Sequence, residues 1–305
     1  MSSAYGLSLL VGGLVLVVLG AEVFFEGLLA SASRLRVSAF VLAVVVSGFE
    51  LENLAAGIAA ALEGLPNAAA GTFLGGTTFL ALGVAGLSAV AAPIRARLPG
   101  PVLAWSVAAP LPLLALGLDG ELSRPDGAVL VAWFVACLAG LVYSGRHVIG
   151  GEPPRPRRFP FGRMLAGLAV LTGGGWMLGE GLRRSVTNLG IPEALLGNVP
   201  VAAAVEAEEV ARVAVPARRG RGDVAMANVL GTIVHFSAFN AGVIALVRPL
   251  ELDSATRHFY LPVAAISVAV LVSALATKGG LGRGEGALLL GAYAAYVAAA
   301  IAVSL

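Results

Sequence analysis

The chain is a series of long apolar segments separated by short joints that contain charged residues, proline and glycine. A helix needs about 20 mostly apolar residues to cross the hydrocarbon core of a bilayer. Ten segments come close to or exceed that length, so the sequence predicts an all-α polytopic membrane protein with about ten transmembrane helices. The predicted spans are 5–32, 37–62, 67–92, 100–118, 127–145, 162–182, 191–216, 224–247, 258–277 and 284–304.

The composition agrees with a membrane protein. Hydrophobic residues make up 58% of the chain and charged residues 12%, whereas about a quarter of the residues in a soluble domain are charged. The N-terminal segment lacks a basic stretch before its apolar run, so we expect a retained span and not a signal peptide. The lone Cys137 excludes a disulfide within the chain. We expect no cofactor and no nucleic-acid partner; the expected partners are inorganic cations and membrane lipid.

The two halves of the chain resemble each other in two blocks. Residues 20–37, GAEVFFEGLLASASRLRV, align with residues 174–191, GGWMLGEGLRRSVTNLGI. Residues 50–76, which begin ELEN, align with residues 206–232, which begin EAEE. Five spans per half is an odd number, so we expect the second half to lie inverted in the membrane relative to the first. Inverted repeats are a transporter architecture, with the substrate site near the midplane between the halves.

The predicted domain organisation follows from this repeat. The first five-helix repeat covers 1–145, the second and inverted one covers 162–305, and the Pro/Arg-rich linker 146–161 joins them. With both termini outside the cell, the joints facing the cytoplasm hold 14 Arg and Lys residues and the outer joints hold 5, while Arg212 lies within a span. Cytoplasmic joints are enriched in Arg and Lys. We therefore expect both termini outside and the linker in the cytoplasm.

Two acidic clusters interrupt the second and seventh predicted spans at aligned positions. A charged side chain at the bilayer centre costs about 2.5–3.5 kcal/mol on insertion scales, so a bound cation, protons or a basic partner must offset that cost. The first and last residues of each cluster are three apart and share a helical face. Oxygen ligands from two such helices form a site for a hard cation. The clusters are Glu50, Glu52 and Asn53 in the first half and Glu206, Glu208 and Glu209 in the second.

Neighbouring residues add to this pattern. Arg212 follows Glu208 by four residues, a spacing at which opposite charges pair on a helix. Gly48 and Pro200 precede the clusters and weaken helix hydrogen bonding, and backbone left unpaired at that depth must line a cavity or be buried in protein. The third and eighth predicted spans, with GTFLGGTTF and ANVLGTIVHF, supply polar groups beside small residues that permit close helix contacts.

These motifs resemble the calcium/cation antiporter superfamily of the sodium/calcium exchanger type. That family has two inverted five-helix repeats, each with a G-T-S-x-P-E segment followed by a G-N-x-x-G-S-N segment. Here GFELEN and AVEAEE overlay the first segment, and GTFLGGT and NVLGT overlay the second. The resemblance in span layout covers nearly the whole chain, and the motif match is partial. It implies a secondary active antiporter of the cell membrane that exchanges a cation, a calcium-like divalent above all, for protons or sodium by alternating access.

The departures from the family motif move acidic residues by one helical turn without removing them. The family's ion-binding glutamate is kept as Glu209 and becomes Asn53 in the first half, while Glu50 and Glu206 stand where the family has serine. The added glutamates and the lost hydroxyl ligands favour coupling to protons over coupling to sodium. The other altered ligand positions are Gly76 and Thr232 after the second glycine and, further along, Leu80 and Phe236.

We therefore predict a cation site and no catalytic residues. Three histidines without a recognisable spacing speak against an intramembrane enzyme of unknown chemistry, which together with a non-transporting membrane scaffold is the alternative to an antiporter. The transported ion and the oligomeric state are left open. The predicted cation-binding residues are Glu50, Asn53, Glu206, Glu209, Thr72, Asn228 and Thr232, with Glu50, Glu206 and Glu209 as the metal ligands. The candidates for carrying protons or positioning these ligands are Glu52, Glu208, Arg212 and His235, although a buried histidine on an apolar helix is more often a hydrogen-bonded core residue.

Overall fold

A computed structural model describes residues 2–48, 51–148, 159–186, 195, 198–199 and 202–304. Most of these residues are helical. The α-helices are Ser2–Leu35, Ala39–Ser47, Leu51–Leu62, Pro66–Thr78, Ala85–Ala91, Gly100–Ala108, Leu111–Gly117, Arg124–Gly145, Pro160–Val186, Ala202–Val205, Ala207–Arg218, Gly222–Val234, Ala241–Val247, Leu261–Lys278 and Arg283–Ser304. The π-helical segments are Phe79–Val84, His235–Asn240 and Thr256–Tyr260.

Two continuous helical segments, Pro66–Ala91 and Gly222–Val247, are the most deeply buried spans of the described structure. We call them the two central helices; 89% and 83% of their most apolar stretch is buried. Each contains a π-helical segment near its middle, Phe79–Val84 in one and His235–Asn240 in the other. A π-helical segment inserts an extra residue into a helix and is frequent at functional sites. The two central helices thus share one order of α-helix, π-helix and α-helix.

The helices that carry the acidic clusters are both interrupted. Ala39–Ser47 ends at Gly48, before the helix Leu51–Leu62. Ala202–Val205 ends at Glu206, where φ is −85° and ψ is 4°, and a new helix starts at the next residue. The last carbonyl groups of a helix have no donor within that helix. The interruption at Glu206 therefore places polar backbone beside acidic side chains, and the end of the first helix at Ser47 leaves a carbonyl group available to other donors.

The central helices pack directly on these interrupted segments. Gly222–Val247 contacts Ala39–Ser47, and Pro66–Ala91 contacts Leu51–Leu62. A Cβ atom on Gly231 would lie 2.8 Å from the carbonyl oxygen of Val44. Because Gly231 has no side chain, the two backbones approach closely, and this approach brings polar groups of distant segments within hydrogen-bonding range.

A second close helix pair lies beside this core. Ser2–Leu35 runs along Pro160–Val186 over much of its length. A Cβ atom on Gly27 would lie 2.6 Å from the Cα atom of Met164 on the facing helix. A Cβ atom on Gly167 would lie 2.5 Å from the Cα atom of Phe24 on the first helix. Glycines on both helices therefore let the two backbones touch, the packing mode that small residues provide between membrane helices.

Two short antiparallel strand pairs connect joints of the two halves of the chain. Ile94–Arg95 pairs with Gly280–Leu281, and Glu121–Leu122 pairs with Leu250–Glu251. Each pair contains one strand from before residue 145 and one from after residue 162, so the joints of the two halves are held together by main-chain hydrogen bonds.

Seven of the described helices are long and apolar enough to cross a membrane. They coincide with the predicted spans that start near residues 5, 67, 100, 127, 224, 258 and 284. The predicted span 37–62 is interrupted, and 191–216 lies partly outside the described residues. The predicted span 162–182 is helical within Pro160–Val186, but its glycines and an arginine lower its hydropathy. The count of ten spans, the inverted repeat and the domain boundaries stay predictions.

Candidate cation site

Three carboxylates and one guanidinium from one stretch of chain are buried together. Glu206, Glu208, Glu209 and Arg212 are 0%, 6%, 0% and 3% exposed. They lie at the interruption at Glu206 and in the first turns of the helix Ala207–Arg218. Ionised side chains are stable in the interior only when opposite charges or hydrogen bonds compensate for lost hydration. Their partners therefore define the site.

The first contact joins the two acidic clusters. Asn53 Nδ2 donates to Glu206 Oε1 over 2.6 Å, and Asn53 is 3% exposed. Asn53 lies in the helix Leu51–Leu62, 153 residues away from Glu206 in the sequence. The tertiary fold, and not local sequence, brings these two predicted site residues into contact.

Glu209 is held by two donors. Asn228 Nδ2 donates to Glu209 Oε2, and Arg212 Nη1 forms an ion pair with Glu209 Oε1. Asn228 belongs to the central helix Gly222–Val247 and is 2% exposed. These contacts anchor the Glu209 carboxylate both to a central helix and to its own helix.

Arg212 also contacts a second carboxylate and a backbone carbonyl. Its Nη2 lies 2.7 Å from Glu208 Oε1, the pairing that the spacing of four residues predicts. Its Nη1 donates to the carbonyl oxygen of Ser47 over 3.2 Å, and Thr232 Oγ1 donates to the same oxygen over 3.2 Å. Ser47 is the last residue of the helix Ala39–Ser47. Its carbonyl is one of those that a helix end leaves without an intrahelical donor.

The imidazole ring of His235 lies beside Gly48, in the space that a side chain at position 48 would fill. A Cβ atom on Gly48 would collide with the imidazole ring. His235 is 3% exposed, its Nδ1 lies 2.9 Å from the carbonyl oxygen of Gly231, and its ring meets Phe134 edge-on with 4.7 Å between centroids. These contacts give His235 a packing role at the interruption after Ser47.

The predicted ligand Thr72 makes a local hydrogen bond, and the altered motif position Gly76 has an apolar neighbour. Thr72 Oγ1 donates to the carbonyl oxygen of Ala69 over 2.8 Å. At Gly76, a Cβ atom would lie 2.6 Å from Phe236 Cε2 and 3.6 Å from Asn53 Nδ2. The Phe236 ring therefore fills the space beside Asn53 at the position where the exchanger motif has a serine.

Part of the predicted site lies outside the described residues. Glu50 falls in the gap between residues 48 and 51, and only the backbone of Glu52 is described. Within the described ranges, no group of three or more His, Cys, Asp and Glu side chains is arranged to hold a metal ion. The metal-ligand set of Glu50, Glu206 and Glu209 therefore stays a prediction.

Two contributors to the site are not indicated by the sequence patterns. One is the Ser47 carbonyl, although its place directly before Gly48 is a signal that the helix ends there and leaves carbonyl groups exposed. The other is Phe24, whose ring centroid lies 5.7 Å from Arg212 Cζ, within the range of a cation–π interaction. We find no sequence signal that connects Phe24 in the first helix with Arg212.

Comparison with known proteins covers nearly the whole chain. The family model described as sodium/calcium exchanger protein matches residues 5–143 and 159–302. The chain is 27% identical over 93% of its length to the putative antiporter CaxA of Alkalimonas amylolytica, and the match covers 95% of that protein. It is 26% identical over 95% of its length to the inner membrane protein YrbG of Escherichia coli (strain K12), again covering 95% of that protein.

Solved structures of the sodium-calcium exchanger NCX_Mj have the same fold. The structure soaked with 2.5 mM Na+ and 10 mM Sr2+ matches with a TM-score of 0.80 at 24% identity, covering 98% of this chain and 99% of the other. The structure soaked with zero Na+ and Ca2+ matches with a TM-score of 0.78 at 23% identity, covering 98% of each chain. Because the family model spans both halves of the chain, the protein belongs to the sodium/calcium exchanger family and is a multi-pass cation antiporter, not an enzyme.

Proposed function

We propose that the protein is a secondary active antiporter that moves a calcium-like divalent cation across the cell membrane in exchange for protons or sodium by alternating access. The observation that carries this proposal is the contact between Asn53 and Glu206, which joins two interrupted helices in the buried interior. Interrupted helices that present polar groups near the midplane are a common way for transporters to bind ions.

The proposed ligands come from both halves of the chain. Asn53 and Asn228 each donate their amide nitrogen to a glutamate, so each can present its amide oxygen as an acceptor. A calcium ion takes six to eight oxygen ligands, which carboxylate, amide and hydroxyl groups can supply together. The proposed cation-binding residues are Glu50, Asn53, Glu206, Glu209, Thr72, Asn228 and Thr232.

The coupling ion is proposed from the ligand types. Carboxylates can bind protons when the cation leaves, whereas sodium binding relies on several neutral oxygen ligands. The polar positions of the exchanger motif that Gly76, Leu80 and Phe236 occupy are apolar here, and the Phe236 ring fills the space at Gly76. These substitutions favour protons over sodium as the exchanged ion.

The proposed architecture has ten spans in two inverted repeats with both termini outside the cell. Three observations support the two repeats, whereas the orientation of the termini rests on the distribution of Arg and Lys among the joints. The two central helices share the order of α-helix, π-helix and α-helix. The helix that precedes each acidic cluster ends just before it, at Ser47 in one half and at Val205 in the other. Both strand pairs join a joint of one half to a joint of the other.

The test is transport by purified protein in liposomes. Labelled calcium, manganese or sodium is supplied under an imposed pH or sodium gradient, and uptake is compared between wild type and Glu206→Gln. We expect gradient-driven calcium uptake that Glu206→Gln abolishes. The matched control is Glu63→Gln, the same substitution at an exposed joint, which should transport like wild type. Absence of flux for every cation would favour the non-transporting scaffold.

A further inference from the structure

We propose that Arg212 acts as a tethered cation of the transport site, that is, a positive charge fixed to the protein. It balances one negative charge of Glu208 and Glu209 that a mobile ion would otherwise have to balance. This inference rests on the proposed function, because it concerns the ions that occupy the same site. Arg212 would thereby determine how many mobile positive charges the site can bind.

The oxygen atoms that accept hydrogen bonds from Arg212 are of the types that also coordinate metal ions. Its guanidinium contacts Glu208 Oε1, Glu209 Oε1 and the carbonyl oxygen of Ser47. Carboxylates and the carbonyl groups of interrupted helices are the oxygen ligands with which transporters coordinate cations. Arg212 therefore takes up ligands of both kinds that a cation would use.

Burial makes this pairing obligatory for the arginine. The Arg212 side chain is 2% exposed, and the side chains of its partners Glu208 and Glu209 are 7% and 0% exposed. The guanidinium of arginine is not deprotonated in proteins, so it keeps its positive charge in the interior. Its lost hydration is compensated by these carboxylates and by the Phe24 ring at 5.7 Å.

The charge count of the described cluster shows the consequence. Glu206, Glu208 and Glu209 supply three negative charges when ionised, and Arg212 supplies one positive charge, so Arg212 balances one of the three. The charge on Arg212 is covalently attached and cannot be released to either side. Removing it would leave one more negative charge to be balanced by the solution.

Arg212 is also connected to parts of the protein other than its own helix. It reaches Ser47 at the end of the helix Ala39–Ser47 and Phe24 in the helix Ser2–Leu35. Its partner Glu208 lies against Gly175 of the helix Pro160–Val186, where a Cβ atom would collide with the carboxylate. The tethered charge thus sits between the glycine-packed helix pair and the core.

The experiment counts sodium ions bound per protein at saturation, with calcium absent and pH and sodium concentration held equal for all variants. We expect Arg212→Gln to bind one more sodium ion than wild type, whether wild type binds none or several. Arg212→Lys, which keeps the charge, should keep the wild-type number. Glu208→Gln combined with Arg212→Gln, which removes one charge of each sign, should also return to the wild-type number. Arg36→Gln, which removes an exposed arginine, is the matched control.

The outcomes separate this inference from the proposed function. Calcium flux by wild type with an unchanged sodium number in Arg212→Gln would overturn the tethered-cation role and leave the antiporter standing. Absence of both flux and cation binding in wild type would overturn both. If Arg212→Gln does not fold, the double variant decides: a sodium number different from wild type would contradict the proposal, as would an extra sodium ion bound by Arg212→Lys.

Discussion

The two acidic segments, residues 50–56 in the first half and 206–212 in the second, align without a gap. They have the same formal net charge but reach it with different residues. At the last position of the cluster the first half has Asn53 and the second has Glu209; three residues further on, the first half has Ala56 and the second has Arg212. The second half thus gains one carboxylate and one guanidinium together. The two segments therefore carry the same formal net charge with different residues.

The surroundings of the aligned residues explain why the guanidinium occurs only in the second half. Ala56 is exposed, whereas Arg212 is buried against Glu208, Glu209 and Ser47. An arginine at position 56 would not find this set of acceptors. The first segment instead offers a neutral amide at Asn53, which donates to Glu206.

The largest expected effect tests whether both halves supply a carboxylate to the cation. Glu50→Gln and Glu206→Gln should each lower cation-dependent transport by about 100-fold or more, because each removes a proposed anionic ligand of the cation. The measurement is labelled calcium uptake in proteoliposomes with matched protein amounts. A large loss for Glu206→Gln alone would show that the site draws on one half only.

The next effect concerns the ion pairs that distinguish the second segment. Arg212→Ala leaves two carboxylates buried without their cation and should lower the free energy of unfolding by about 3–5 kcal/mol. Combining it with Glu209→Asn makes the second segment match the first at the two positions that differ in charge, and this double variant should cost less than Arg212→Ala alone. Thermal unfolding of the purified proteins in one detergent compares them. A double variant as unstable as Arg212→Ala would disprove the compensation of charge.

A smaller effect concerns Thr232, which aligns with Gly76 and therefore has no equivalent donor in the first half. Thr232→Val removes the hydrogen bond to the Ser47 carbonyl and should lower the free energy of unfolding by about 1 kcal/mol. The matched control is Thr277→Val, which removes an exposed hydroxyl bonded to Ser273. The two variants should differ in unfolding temperature, and equal values would argue that the Ser47 carbonyl is compensated by Arg212 alone.

The smallest effect on transport is expected from a cysteine introduced into the linker between the two halves. A cysteine at Gly150 should leave transport unchanged and should resist membrane-impermeant thiol reagents on intact cells, because the linker is proposed to be cytoplasmic. Asp119→Cys, at an exposed joint on the proposed outer side, should react rapidly. The native Cys137 is fully buried and should stay unlabelled. Rapid labelling at position 150 would reverse the proposed orientation.

Sequence patterns predict the features of this protein that depend on one segment at a time. Hydropathy locates the seven long apolar helices, Gly48 indicates a helix end, and the spacing of Glu208 and Arg212 predicts their ion pair. The remaining contacts depend on how separate helices pack. Nothing in the sequence near Ser47 specifies that Arg212 donates to its carbonyl.

The contact between the Phe236 ring and Gly76 shows the same limit. Replacement of two polar motif positions by glycine and phenylalanine is visible in the sequence, but each substitution by itself only removes a polar group. In the structure the ring of Phe236 fills the space at Gly76, beside Asn53. This filling is a property of two helices and could not be predicted from either.

The aromatic ring beside Asn53 has a consequence for the ion that enters the proposed site. A ring offers no lone pair to replace a water molecule, whereas the serine of the exchanger motif would offer a hydroxyl oxygen. A cation held there by carboxylates on its other side would keep part of its hydration shell. Mg²⁺ and similar ions give up their water reluctantly, so a site that leaves part of the hydration shell in place would discriminate less against them than a site that removes all of it.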